Sequence, residues 1–136
     1  MKIVIDTNVI IASFATRGLC SELLELCLYN HEIYISEHII NECENKFKDK
    51  IKLPNKIIKQ ISTFLRNEIN VVAPTKIDNN ICRDKKDIPV IGTAISAGAE
   101  VIISGDKDLL NLKNYKHIKI LSPRDFWNFL KKKHDL

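Results

Sequence analysis

Two short apolar runs, Ile3-Val4-Ile5 and Val101-Ile102-Ile103, constrain this chain more than any other feature. Neither alternates with polar residues, so a strand built from either has no face to give to water. Such strands belong in a parallel sheet covered by helices on both sides. The rest of the chain supplies that cover. Helical spacing runs from Asn8 to Phe14 and from Ser21 to Tyr29, broken at Arg17-Gly18, and Ile33-Tyr34-Ile35 reads as a second strand. Ser36 caps a helix carrying Ile39, Ile40, Cys43 and Phe47 at spacings of three or four. A helix from Pro54 through Leu65 precedes a short strand at Val71-Val72 and a polar loop from Asp78 to Lys86. A helix from Ile88 to Ala97 closes at Gly98. A short helix from Asp106 to Leu112, a strand at Ile118-Lys119-Ile120 and a helix from Pro123 to Lys133 complete the pattern. Strands alternating with helices imply right-handed βαβ units.

The length of 136 residues suits one domain spanning residues 1–136. With 45% hydrophobic and 28% charged residues, disordered and collagen-like classes are excluded. No stretch approaches the roughly 20 apolar residues of a membrane helix, and Asp6 and Asn8 interrupt the opening run, which reads as a buried strand rather than a signal peptide. The four cysteines, Cys20, Cys27, Cys43 and Cys82, form no CxxC pair; they read as small core residues of a reducing, cytoplasmic compartment. The net charge of +4 permits an anionic partner without demanding one.

Ligands of such sheets sit beyond the carboxyl ends of the strands. Asp6 ends the first apolar run, and Asp106 follows Val101-Ile102-Ile103 after Ser104-Gly105. If the two strands are neighbours, both carboxylates emerge at one edge. Asp87 precedes a helix that starts near that edge, and Glu42, mid-helix, can reach back toward it. Each also has a structural role open to it, as a turn residue, a helix cap or a solvated side chain. Gathered together, four carboxylates repel one another by several kcal/mol, a cost that a hard divalent cation removes. Such ions also serve phosphodiester hydrolysis.

His38, four residues before Glu42, shares its helix face and could help recruit a metal, although a lone histidine there more commonly packs or faces solvent. His31, His117 and His134 have no partners at ligand spacing, and none of the four histidines is assigned to catalysis. The lysines from Lys46 to Lys59 read as a solvated face or a phosphate-contacting one. Arg83, Lys85 and Lys86, which flank Asp87, are the stronger candidates for contact with a phosphate backbone. Phe14, Phe47, Phe64, Phe126, Trp127 and Phe129 fall at helical positions and form no stacking platform; they read as core or interface.

The stretches IVIDTNVII, Glu42, DKKDIPVIGTAISAGAE and VIISGDKDLL, in that order and spacing, resemble the signature of PIN-domain proteins. Small single-domain members assigned as toxins of toxin-antitoxin systems are the nearest likeness. The resemblance runs from about residue 2 to residue 126. It implies a Rossmann-like, three-layer α/β/α fold with a central, mostly parallel sheet of about five short strands. It also implies an endoribonuclease dependent on Mg²⁺ or Mn²⁺, hydrolysing RNA by metal-activated water, as the toxin of a type II system. Carried over by position, the catalytic acids fall on Asp6, Glu42, Asp87 and Asp106, with Asp6, Asp87 and Asp106 as metal ligands. Asn8 and Ser104 match supporting positions, and Asp84 and Asp108 are second choices. An antitoxin partner and a homodimer are further implications. Two alternatives stay open at this point: a non-catalytic RNA-binding or assembly module, and another metal-dependent nuclease or phosphatase acting on DNA or small phosphoesters.

Overall fold

A computed structural model describes residues 1–133; His134 lies outside them. Six strands form one sheet: β1 (Lys2–Ile5), β2 (Glu32–Ile35), β3 (Asn70–Val71), β4 (Val101–Ile103), β5 (Asn114–Tyr115) and β6 (Ile118–Leu121), in the order β3-β2-β1-β4-β6-β5. All pairings are parallel except that of β5 with β6. The sheet thus has one strand beyond the five expected from sequence. β5 is two residues long and carries no apolar run, so periodicity gives no sign of it.

The helices are α1 (Thr7–Ala15), α2 (Leu19–Asn30), α3 (Glu37–Asp49), α4 (Asn55–Glu68), α5 (Ile88–Ala97), α6 (Lys107–Leu112) and α7 (Pro123–Lys133). Local chemistry explains several of their ends. The Ser36 hydroxyl accepts a hydrogen bond from the Ile39 amide at the start of α3, and Pro54 sits at the N-cap of α4. Gly98 ends α5 in the left-handed region, at φ 67°, where a side chain would be strained.

Ile3, Val4, Ile5, Val101, Ile102 and Ile103 are all at most 1% exposed, so both faces of the two central strands are covered. α5 packs across β1, β2 and β4, while α1 meets α2 and α3, α3 meets α4, and α2 meets α7. Cys27 and Cys43 are buried core residues whose thiols burial pushes up to about 12, and all four cysteines are free thiols. The phenylalanines divide: Phe47 and Phe126 are core, whereas Phe14 and Phe64 lie edge-to-face at the half-exposed border of α1 and α4.

The chain order reverses between β1 and β4, the place where an open parallel sheet leaves a crevice at its carboxyl edge. Ile5 is in register with Ile103, and the Asp6 amide donates to the Ile103 carbonyl at 2.9 Å. The next residues of the two strands, Asp6 and Ser104, therefore leave the sheet side by side.

Candidate active site

Beyond that edge lies a cavity of about 140 Å³ lined by Asp6, Thr7, Asn8, Glu42, Lys46, Asp84, Lys86, Asp87 and Asp106. The four acids singled out from sequence are all in this wall. Asp6 is 6% exposed and held at both carboxylate oxygens: Oδ1 accepts from the Thr7 amide at 2.8 Å and Oδ2 from the Ser104 hydroxyl at 2.7 Å. Burial raises the Asp6 pKa above the usual carboxylate range, the Ser104 and Thr7 hydrogen bonds oppose that rise, and the charges of Glu42 and Asp106 add to it.

Asp106 performs two tasks. Its Oδ1 caps α6 by accepting from the Asp108 and Leu109 amides at 2.8 and 3.2 Å, and the Ser104 hydroxyl accepts from its amide at 3.0 Å. Asp106 thus caps α6 and lines the cavity at once. For Asp87 the two roles separate. It occupies the N-cap position of α5 but makes no capping side-chain hydrogen bond. Its Oδ2 is buried with no hydrogen-bond partner. The single 3-10 turn of Lys85–Asp87 turns the side chain inward and is capped by Asp84, whose Oδ1 accepts from the Lys86 amide at 3.0 Å. Burial first, then the charges of Asp106, Asp6 and Asp84, push the Asp87 carboxyl up to about 8.

Glu42 reaches the cavity from α3. The Thr7 hydroxyl donates to its Oε1 at 3.3 Å, and His38 Nε2 lies 3.1 Å from the same oxygen. The neighbouring acids turn elsewhere: Glu37 makes a two-pronged ion pair with Arg66, and Glu44 accepts from the Ser62 hydroxyl at 2.7 Å. Asp84, Asp87 and Asp108 present carboxylate oxygens that all lie within 4.8 Å of one another. Asp87 thus belongs both to the cavity wall shared with Asp6 and Asp106 and to a second acidic group.

The cations sort less evenly. Lys86 lines the cavity, Lys85 donates its ammonium to the Asn79 carbonyl, and Arg83 is exposed outside the cavity wall. Lys46, taken from sequence only as one of a lysine run, points its ammonium to Asn8 Oδ1 at 2.8 Å and joins the wall. Its spacing of four from Glu42 on one helix was the available signal. Thr7 gave none, because its role depends on a contact with a residue 35 positions away.

A family model described as a PIN domain matches residues 2–108. The chain belongs to the PIN-domain family. Three solved structures share the PIN fold. VapBC2 from Rickettsia felis, bound to a DNA fragment from its promoter, has 16% identity and a TM-score of 0.62, covering 90% of this chain and 98% of its own. VapBC-1 from nontypeable Haemophilus influenzae has 17% identity and a TM-score of 0.63, covering 91% and 99%. FitAcB from Neisseria gonorrhoeae has 15% identity and a TM-score of 0.55, covering 90% and 98%. No curated protein sequence matches this PIN domain. Among the described residues, no helix is long and apolar enough to cross a membrane.

Proposed function

We propose that this PIN domain is an endoribonuclease dependent on Mg²⁺ or Mn²⁺ and acts as the toxin of a type II toxin-antitoxin system. One observation carries the metal-dependent chemistry: a buried, unpartnered carboxylate oxygen of Asp87 set among Asp6, Asp84 and Asp106. A polar atom in that position costs free energy unless a proton or a cation meets it. An all-oxygen, all-carboxylate donor set suits a hard divalent ion. Asp6, Asp87 and Asp106 would hold it, with Asp84 and Asp108 beside them. Such an ion supplies activation of water and neutralisation of charge developing on a phosphoryl oxygen.

The chain's own residues do the rest. Ser104 and the Thr7 amide hold both oxygens of Asp6 in place and oppose the rise that burial imposes on its pKa, while the amides at the start of α6 hold Asp106. Lys46 and Lys86 bring positive charge to the rim, where they can pair with the non-bridging oxygens of a substrate phosphate. Glu42, steadied by Thr7 and His38, is placed to accept a proton or a water. In-line hydrolysis at this site leaves 5′-phosphate and 3′-hydroxyl ends. The toxin assignment draws on the sequence resemblance together with the likeness in fold to the VapBC2, VapBC-1 and FitAcB structures; an antitoxin partner, a homodimer and a cytoplasmic location follow from the same reading.

The test is incubation of purified protein with a panel of structured RNAs in Mg²⁺, Mn²⁺ or chelator, beside Asp6→Asn and Asp87→Asn variants. Cleavage that needs the metal and is lost in both variants is expected. Cleavage that survives chelation, full activity in both variants, or turnover of DNA but not RNA overturns the assignment.

A further inference from the structure

A second and larger cleft, of about 540 Å³, opens beside the acidic cavity, lined by His38, Pro74, Ile77, Asn79, Ile88 and Pro89 among others. We propose that this cleft is a subsite for one unstacked nucleobase of the RNA substrate, next to the phosphate at the acidic cavity; the proposal rests on the ribonuclease reading above.

Three observations favour that occupant. First, the cleft and the cavity are separated by single side chains. His38 lines the cleft while its Nε2 lies 3.1 Å from Glu42 Oε1 in the cavity wall, and Asp87 and Ile88 are consecutive residues lining one each. A phosphate at the acids therefore has its flanking nucleotide at the cleft mouth. Second, the lining combines flat or apolar surfaces with polar groups. The His38 ring, two proline rings and two isoleucines offer faces for a base, and Asn79 and Thr75 offer edge-reading polar groups. Single-stranded RNA is read by that combination of stacking and edge hydrogen bonds. Lys76, on the same rim, supplies charge for a neighbouring phosphate.

Third, the cleft wall is built in place. The Thr75 amide donates to the Gly92 carbonyl at 3.0 Å, and a Cβ at Gly92 would come within 2.4 Å of the Thr75 carbonyl oxygen. Only glycine lets the 73–79 segment lie this close to α5. The volume falls within the range of small-ligand sites.

The experiment has two arms. In the first, a random single-stranded RNA pool is cleaved by wild type and by Ile77→Ala, Asn79→Ala and Gly92→Ala, and the products are sequenced. A base preference at one position flanking the cut, weakened by roughly tenfold or more in the variants, is expected. A preference that all three leave unchanged overturns the subsite, and is the result expected if a protein partner occupies the cleft instead. In the second arm, a short oligonucleotide carrying 4-thiouridine is photo-crosslinked to wild type in Ca²⁺. Crosslinks on segments 74–79 or 88–89 support the subsite even without turnover, and crosslinks confined elsewhere overturn it. Absence of RNA cleavage by wild type counts against the ribonuclease reading, whereas the crosslinking map judges the cleft by itself.

Discussion

The Ser104 hydroxyl donates a 2.7 Å hydrogen bond to Asp6 Oδ2, joining two residues 98 positions apart that leave neighbouring parallel strands side by side. The same hydroxyl accepts from the Asp106 amide, so one small side chain sets two of the site's acids. Ser104→Ala removes both bonds inside a buried site. Thermal unfolding should show a loss of about 1–3 kcal/mol in the metal-free protein. Calorimetric titration should also show weaker Mn²⁺ binding near neutral pH, because the Asp6 carboxyl then rises further.

Asp87 makes stability depend on pH in an unusual direction. Its ordinary value is 3.8, and the folded protein holds it near 8. The folded state therefore binds this proton more tightly than the unfolded chain does. The resulting stabilisation is complete below about pH 4 and is lost progressively as pH rises through 8. The melting temperature of the metal-free protein should carry a falling contribution between pH 5 and 8.5. Asp87→Asn should flatten it and raise the melting temperature at the alkaline end.

Divalent ions reverse that trend. Because Asp87 must lose its proton to ligate, Mn²⁺ affinity should climb with pH up to about 8 and level off above it. Calorimetry in buffers of differing ionisation heat should report proton release on binding below that pH. An affinity independent of pH would remove Asp87 from the ligand set.

Lys46 shares the cavity wall with these acids and donates to Asn8 Oδ1. Lys46→Met removes a cation that competes with the metal and that pairs with phosphate. Metal affinity should rise several-fold, while RNA affinity falls and its logarithmic salt slope lessens by about one. Fluorescence anisotropy with a labelled oligonucleotide at several salt concentrations measures both RNA effects.

Most of the framework is legible in the sequence because its signals are local. Val101-Ile102-Ile103 can be little but a buried strand, and Gly98 ends α5 as expected. Both strand-end aspartates and Glu42 reach one cavity, as the βα pattern implied. What stayed hidden depends on the third dimension. Asp87 reads from sequence as either a helix cap or a site acid, and only its burial and its lack of a capping hydrogen bond separate the two. The group of Asp84, Asp87 and Asp108 joins the turn before α5 to the first turn of α6, and the contact of Lys46 with Asn8 depends on α3 packing against α1.

The sheet ends on each side in a strand of two residues, Asn70–Val71 at one border and Asn114–Tyr115 at the other. A strand-adding partner, or a second misfolded copy, finds almost no backbone ladder to extend there. Self-templated aggregation is thereby discouraged in a chain whose central strands are among its most β-prone segments. Any protein that embraces this domain must take its grip on side chains of helices and loops rather than on the hydrogen-bonding rim of the sheet.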